Sequence, residues 1–416
     1  MSIPATSHLD APVVLGIFAL TYLGIALGRV PGLKLNRTGI ALLGAIAIMA
    51  FSGATTETVV GFINWPTVLL LFGFFVISAQ LRLSGFFDRV ANGISARLNN
   101  PAWFLLNLML VTAGLSAFLN HDIVCFVFAP VVAIALLRRQ LNPVPFLIAL
   151  AVASNIGAAA TLVGNPQDMM IAEVAGLSFG PYILWCITPV LLSLGLSYGI
   201  IWLMSRRNLA APATMQAESP PPPQPYNRNH TIKGLVILVL VIAFFFSSIP
   251  KEIIALTAAG IHLASPKFRT EDLLKLVDWS ILVLFMGLFV VTGAFQATGW
   301  SEQAVQWLTH TGLHLQSPSI LALVTAGLSN LINNSAAVIL LVKVVDVSHP
   351  TTAYVLALAN SFGGSLIILG SVSNIIVVQK ARDLGIDISF RDFARLGVPV
   401  TLAAMGALIA WVALMA

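Results

Sequence analysis

Long apolar runs follow one another along most of the chain, and short polar stretches between them hold most of the charged residues. A bilayer core of about 30 Å needs roughly 20 apolar residues per helix. Ten runs approach that length, and they cover residues 11–28, 38–53, 62–81, 146–164, 182–204, 232–249, 252–264, 279–297, 352–370 and 398–415. This pattern predicts an all-α polytopic membrane protein with about ten transmembrane helices.

Two other apolar stretches, 101–137 and 317–347, are interrupted near the middle by polar residues. The positions of the basic residues indicate how these stretches lie. With an external N-terminus, the predicted cytoplasmic loops contain all of the 21 lysines and arginines except Lys251 and Lys343, as the positive-inside rule requires. The count works only if each interrupted stretch enters and leaves on the same side, so we predict two re-entrant helical hairpins.

The same count predicts a multi-pass protein of the cell (inner) membrane, with both termini outside and the central linker cytoplasmic. No lysine or arginine precedes Arg29, so the first run lacks the basic segment of a cleaved signal peptide and is expected to stay as an anchor.

Composition narrows the class of protein. Hydrophobic residues make up 58% of the chain, charged residues 9%, and the mean hydropathy is +0.94. These values exclude a soluble enzyme, a nucleic-acid-binding protein and a disordered chain, and the lipid bilayer is the expected surrounding. The net charge of +5 comes from basic residues that mark the cytoplasmic loops and does not indicate a polyanion-binding patch. Cys125 and Cys186 lie in apolar runs and form neither a disulfide framework nor a zinc motif.

The two halves of the chain resemble each other. Residues 64–86 align with 278–300, residues 120–122 with 333–335, and residues 154–157 with 360–363. Trp, Leu, Gly, Phe, Val and Gly recur at matched positions of the first pair, namely Trp65, Leu70, Gly73, Phe75, Val76 and Gly85 against Trp279, Leu284, Gly287, Phe289, Val290 and Gly299. We therefore predict a first repeat over 1–205, a Pro-rich linker over 206–231 and a second repeat over 232–416. Five crossings per repeat is an odd number, so the repeats are expected to insert with opposite orientation, as in many secondary transporters.

The hairpin turns carry the first candidate site residues. The first turn holds Asn120, His121 and Asp122, and the second holds Asn333, Asn334 and Ser335. Helix capping alone would explain either Asn. An acid in mid-bilayer is costly and is by default a functional candidate, so Asp122 is the predicted proton-coupling residue. His121 is expected to be its hydrogen-bonding partner.

The runs that follow the hairpins carry the second candidate group. Asn155 leads to Gly164 and Asn165 in the first repeat. Ser361 leads to Gly370 and Ser371 in the second. Gly permits unusual backbone angles and Pro166 starts a helix without losing a needed donor, so each run is predicted to break at Gly164 or Gly370 and to restart. Close helix packing is an alternative reason for the glycines.

Together the two turns and the segments NIGAAATLVGNPQD and NSFGGSLIILGSVSN resemble the ion transporter superfamily, in particular its arsenite permease branch and closely related anion permeases. The resemblance covers nearly the whole chain and keeps the order of four motifs. Arsenite permeases are similar in having an Asp at the position of Asp122 and paired Asn at 333–334. The sodium-coupled dicarboxylate branch has Ser-Asn-Thr at both tips, and His121 departs from both branches.

The four motif segments contain no lysine or arginine, which disfavours a dianion and suits a small neutral hydroxide that needs donors and acceptors. We expect a secondary transporter, not an enzyme, that exports trivalent arsenic or antimony as the neutral hydroxide in exchange for protons. The alternative is a sodium- or proton-coupled transporter of a dicarboxylate, sulfate or another small oxyanion. An intramembrane hydrolase would need two facing carboxylates. Asp168 is the other acid near a break, and the second half has Asn374 at the corresponding place, so this alternative is disfavoured.

The expected partners are a small inorganic substrate and the bilayer, with no nucleic acid. No cofactor is expected beyond the proton as coupling ion, with sodium as the alternative ion. A cytoplasmic ATPase subunit would leave little trace in the sequence, which leaves both that partner and the oligomeric state open.

Overall fold

The computed structural model describes residues 9–27, 35–95, 100–206, 225–265, 267–300, 303 and 314–415. Regular structure in these ranges is helical, which confirms the all-α prediction. The first half contains α1 (Ala11–Leu27), α2 (Arg37–Phe51), α3 (Thr56–Gly61), α4 (Trp65–Leu83), α5 (Phe86–Ser95), α6 (Pro101–Phe118), α7 (His121–Arg138), α8 (Val144–Ala158), α9 (Pro166–Val174) and α10 (Phe179–Ser205). The second half contains α11 (Arg228–Phe244), α12 (Lys251–Leu263), α13 (Thr270–Leu274), α14 (Trp279–Ala297), α15 (Pro318–Ile332), α16 (Asn334–Val344), α17 (Pro350–Gly363), a 3₁₀ turn (Ile368–Gly370), α18 (Val372–Arg382) and α19 (Phe390–Met415).

The halves exchange contacts reciprocally. Helix α4 of the first half packs on α12 of the second, and α14 of the second packs on α2 of the first. At the first crossing Gly73 lies against the backbone of Ala255, and at the second Gly287 lies against the backbone of Ala41. A side chain at either glycine would collide with the partner backbone, so small residues set the approach of the helices. This packing is the one expected of two related repeats.

Helices α6 and α7 form the first hairpin, and α15 and α16 form the second. Each of α6 and α7 is long and apolar enough to cross a bilayer by length and composition, as are α4, α10, α14 and α19. The junction between α6 and α7 is nevertheless buried, with Asn120 only 4% exposed. The junction contacts the unwound segment that follows α8. A re-entrant hairpin is expected to have such a tip, buried inside the protein beside a broken helix.

Both predicted breaks are present, but they are longer than predicted and begin earlier. The α-helix ends at Ala158 instead of Gly164, and at Gly363 instead of Gly370. Helical structure resumes at Pro166 and, after the 3₁₀ turn, at Val372. The chain folds back at each break, so that Gly164 lies against the backbone of Ala158 and Gly370 against Gly364 and the Asn330 side chain.

Other differences concern short or amphipathic elements. The sequence pattern does not predict α3, α5 and α13, because these helices are too short to form a long apolar run. Helix α5 is also amphipathic, with its buried residues Phe87, Ala91 and Ile94 on one face. Helix α11 begins at Arg228, inside the predicted linker, and α19 begins at Phe390 rather than at residue 398. Linker residues 207–224 lie outside the described residues.

Candidate functional site

Asparagine side chains cap the helices at the hairpin tips. Asn120 Oδ1 accepts a hydrogen bond from the Asp122 backbone N–H at 2.8 Å and caps α7. Asn333 Oδ1 accepts from the Ser335 backbone N–H at 3.0 Å and caps α16. Both asparagines thus have a structural role, and the helix N-terminus that each caps carries a partial positive charge beside the tip.

The second tip is held in an unfavourable backbone conformation. Asn333 has φ +82° and ψ 146°, a region that residues other than glycine rarely occupy, at a cost of about 1–3 kcal/mol. The cap bond to Ser335 and the burial of Asn333, which is 3% exposed, compensate for this cost. Such conformations concentrate where a site over-determines the backbone.

Asn165 joins the first break to the second half. Its Oδ1 accepts from the Asp168 backbone N–H at 2.7 Å and caps α9. Its Nδ2 donates to Asp168 Oδ2 at 2.7 Å and to Ser361 Oγ of α17 at 3.1 Å. Both N–H donors of this amide and one lone pair of its oxygen are therefore committed. Asp168 is fully buried, and its Oδ1 has no hydrogen-bond partner among the described residues.

Asn155 makes the complementary connection from α8 to the second break. Its Nδ2 donates to Asn374 Oδ1 at 2.9 Å, and its Oδ1 accepts from Ser371 Oγ at 2.9 Å. Asn374 Nδ2 in turn donates to the carbonyls of Gly364 and Ile367 at 2.7 and 2.9 Å. The Asn374 amide thereby holds the unwound segment, in which the Ile367 carbonyl also accepts from the Gly370 backbone N–H at 3.0 Å.

The hairpin tips contact the break of the first half. His121 Nδ1 lies 3.3 Å from the Gly164 carbonyl oxygen. From the second tip, Ser335 Oγ accepts from Gln167 Nε2 of α9 at 2.7 Å. Asn334 is 7% exposed, and its Oδ1 has no hydrogen-bond partner among the described residues. Both tips and both breaks therefore converge on one buried polar region, which we call the central polar cluster (Asn155, Asn165, Gln167, Asp168, Ser335, Ser361, Ser371 and Asn374).

Asp122 lines a cavity of about 350 Å³. Residues from both halves line the cavity, among them Arg82, Asn120, Lys275 and Asp278. Asp122 is 6% exposed; its Oδ1 lies 3.5 Å from His121 Nε2 and has no hydrogen-bond partner within the described residues. A buried carboxylate atom without a partner costs free energy, so this oxygen is suited to bind a proton or a ligand.

Asp278 is the N-cap residue of α14 and lines the same cavity as Asp122. Its Oδ1 accepts from the Ile281 backbone N–H at 3.1 Å as the helix cap. Burial raises the pKa of Asp278, the backbone hydrogen bond from Ile281 opposes that rise, and the charge of Asp122 adds to it.

Cys125 is fully buried in α7. Its burial is that of a packing residue. Within the described part of the chain, no group of three or more His, Cys, Asp or Glu side chains has the arrangement of a metal site.

Every residue predicted for the site is buried. The central cluster unites Asn155, Asn165, Ser335, Ser361 and Ser371; Asn120 and Asp122 line the cavity; Asn333, Asn334, Gly164, Gly370 and His121 stand at the tips and breaks beside them. Gln167 and Asp278 were not among the predicted site residues, and Asp168 and Asn374 had no predicted role in the site. Asp278 could have been found from its alignment with Asn64, since both precede a Trp at the start of matching helices.

Comparison with known proteins agrees with this architecture. A family model described as CitMHS, citrate transporter, matches residues 22–355. An uncharacterised transporter of Mycobacterium tuberculosis (strain ATCC 25618 / H37Rv) is 31% identical over 94% of this chain and 96% of its own length. A silicon efflux transporter of Oryza sativa subsp. japonica is 26% identical over 94% of this chain and 95% of its own length.

The fold also has a counterpart among solved structures. The crystal structure of the Alcanivorax borkumensis YdaH transporter, described as having an unusual topology, matches 97% of this chain and 97% of that chain with a TM-score of 0.61 and 16% identity. That likeness concerns the fold alone. The family match and the 31% identical relative establish membership: the chain belongs to the CitMHS citrate transporter family of membrane transporters, within the ion transporter superfamily that its motifs predicted.

Proposed function

We propose that this protein is a secondary active transporter that exports trivalent arsenic or antimony as the neutral hydroxide in exchange for protons. The observation that carries the proposal is the chemistry of the central polar cluster. Its side chains are amides and hydroxyls with one acid, Asp168, and it contains no lysine or arginine. Amides and hydroxyls both donate and accept hydrogen bonds, which suits a small polyhydroxy acid without charge.

The relatives support a neutral hydroxide. The rice relative is named a silicon efflux transporter. A second relative, from Dictyostelium discoideum, carries the name "Putative transporter arsB" and is 21% identical over 89% of this chain and 86% of its own length. Dissolved silicon at neutral pH is the uncharged tetrahydroxide, so silicic and arsenous acids share their donor and acceptor chemistry. Under this proposal, both would be bound by the same kind of amide and hydroxyl groups.

Asp122 supplies the proton coupling in this proposal. It is the buried acid whose side chain faces a cavity, and its Oδ1 lacks a hydrogen-bond partner among the described residues. Protonation removes the cost of burying its charge, so the protonated and ionised forms favour different positions of the first hairpin. A proton bound from outside and released inside would then drive the hairpins and the broken helices between two arrangements.

The second candidate is transport of a carboxylate or another small oxyanion, coupled to sodium or protons. The family description names citrate, and Arg82 and Lys275 line the cavity that Asp122 faces. A dianion would use such cations. They stand in that cavity and not in the central cluster, which is why we place this candidate second.

Substrate preference is tested in a bacterial strain that lacks its own metalloid exporters. Cells producing the protein are compared with cells that carry the empty vector for retention of arsenite, antimonite, sulfate, citrate and succinate. The proposal expects lower retention of arsenite and antimonite alone. Lower retention or faster uptake of citrate, succinate or sulfate, with metalloids unaffected, would replace it with the second candidate.

A further inference from the structure

Two acids from different halves of the chain line one cavity. Asp122 follows the tip of the first hairpin, and Asp278 caps α14 of the second half. Both belong to the lining of the cavity of about 350 Å³. The cavity is lined by both apolar and polar side chains, is large enough for several water molecules, and has the two carboxyl groups as hydrogen-bond partners for that water.

The two acids differ in their surroundings. Asp122 is 6% exposed, and its Oδ1 has no hydrogen-bond partner among the described residues. Asp278 Oδ1 is fixed by the Ile281 backbone N–H, while burial and the charge of Asp122 raise the pKa of Asp278. Asp278 therefore holds a proton more readily than a solvated aspartate does, and the charge of Asp122 is one of the causes.

Cations surround the pair from the neighbouring elements. Arg82 of α4 lies over the Phe126 ring at 4.3 Å, and Lys380 of α18 lies over the same ring at 4.5 Å. Lys275 lines the cavity next to Asp278, and His121 of α7 lies 3.5 Å from Asp122. The charge of Asp88 of α5 acts on Arg82. Arg82 and Lys275 are the lysine and arginine side chains in the lining of the cavity itself.

The internal repeat shows that the acidic pair is a feature of one side only. Asp278 aligns with Asn64, which caps α4 through the Thr67 backbone N–H at 3.0 Å, and Asp122 aligns with Ser335. The counterpart positions therefore hold no titratable group. The acids stand beside Arg82 and Lys275, which the positive-inside rule assigns to the cytoplasmic side.

We propose that Asp278 receives the proton that Asp122 releases toward the cytoplasm and passes it to the cytoplasmic solution. One proton moves from the Asp122 carboxyl through cavity water to the Asp278 carboxylate, which leaves Asp122 ionised and Asp278 neutral. Asp278 then loses the proton to bulk water. This step rests on the proposed proton exchange and names Asp278 as its second carrier.

The variant Asp278→Asn removes the titratable carboxyl group and keeps a side chain that can cap α14. Asn caps helices as well as Asp does, and Asn64 does so at the matching position, so the variant is expected to fold. Full-length protein in proteoliposomes is assayed for arsenite/arsenite exchange at equal pH and for arsenite flux driven by a proton gradient. Asp392→Asn, in a separate cavity with Arg395, is the control.

We expect Asp278→Asn to retain exchange within about twofold and to lose about tenfold in gradient-driven flux, with Asp392→Asn unchanged in both. Unchanged gradient-driven flux in Asp278→Asn would overturn the proposal. An equal loss in exchange and in driven flux would also overturn it, because that result is the one a purely structural role produces.

A second measurement needs no substrate. Infrared titration of the reconstituted protein follows the protonated carboxyl band that disappears in Asp278→Asn. In Asp122→Asn this band is expected to titrate at lower pH than in the wild type, because the charge that raises the pKa of Asp278 is gone. A band that titrates at the same pH in both proteins would overturn the proposal, whatever the substrate is. A shifted band without arsenite flux would reject only the proposed function.

Discussion

Individual side chains in this protein carry two tasks at once. Asn165 caps α9 and also binds Asp168 and Ser361, so a residue that looks like a simple cap in sequence is a junction between the halves. Its amide has a fixed donor and acceptor set, and both sides of that set are used. The polar tips and breaks could be recognised from sequence because Asn and Ser in mid-run interrupt an otherwise apolar pattern.

Asp122→Asn tests the proton carrier. The amide keeps the size of the side chain but binds no proton at physiological pH, so we expect loss of at least about tenfold in proton-driven export while the protein remains folded. Export from cells and a melting curve of the purified variant provide the measurement. Vigorous export by Asp122→Asn would remove Asp122 from this role.

Asn165→Ala tests the junction. The variant loses the cap of α9 and leaves Asp168 Oδ2 and Ser361 Oγ without the Asn165 donor, so we expect a loss of about 1–3 kcal/mol in stability. Asn64→Ala is the matched control, since Asn64 caps α4 through one hydrogen bond and its loss costs about 1 kcal/mol. Thermal unfolding in detergent compares the two; a Tm drop no larger than that of Asn64→Ala would argue against the junction.

Helices in this chain approach each other where glycines permit it, and the approach repeats in both halves. Gly157 of α8 lies against the Ala113 backbone of α6, and Gly363 of α17 lies against Ala326 of α15. Each hairpin is thereby fixed to the broken helix that follows it. The sequence predicted the breaks but placed them too late, at Gly164 and Gly370, because apolar periodicity does not show where a helix unwinds inside a protein.

Gly157→Ala tests the contact between α6 and α8. A methyl group there collides with the Ala113 backbone, which cannot move as a side chain would, so we expect destabilisation of about 1–3 kcal/mol. Gly114→Ala on α6 meets open space and is expected to be neutral or slightly stabilising, since Ala favours helices over Gly. Equal melting temperatures for the two variants would contradict the contact.

At the scale of the whole molecule, helices of the two halves pack on each other reciprocally, α4 on α12 and α14 on α2. The all-helical class and the places of the two interrupted stretches, α6–α7 and α15–α16, could be predicted from apolar run lengths and their polar interruptions. The number of spans could not: about ten were predicted, and six helices among the described residues have spanning length. That Asp122 and Asp278 line one cavity could not be predicted from the sequence. The two residues belong to different halves of the chain, and only the packing of α14 and the first hairpin brings them to the same cavity. The short helices α3, α5 and α13 escaped prediction because their length falls below any membrane-spanning signal.

Orientation in the membrane is the prediction at this level. Ser247 lies in an exposed connection expected outside, and Ser389 in an exposed connection expected in the cytoplasm. With Cys125 and Cys186 buried, single cysteines at these two positions report topology. A membrane-impermeant maleimide applied to intact cells is expected to label Ser247→Cys at once and Ser389→Cys only after permeabilisation. The reverse pattern would invert the topology.

The most direct test of proton-coupled arsenite exchange is a flux measurement in proteoliposomes that contain a pH-sensitive dye. Arsenite is added to one side with equal sodium on both sides, and the internal pH is followed for the wild type and for Asp122→Asn. The account predicts that arsenite movement shifts protons in the opposite direction in the wild type and not in the variant. Arsenite flux without pH change, or flux that requires a sodium gradient, would contradict it.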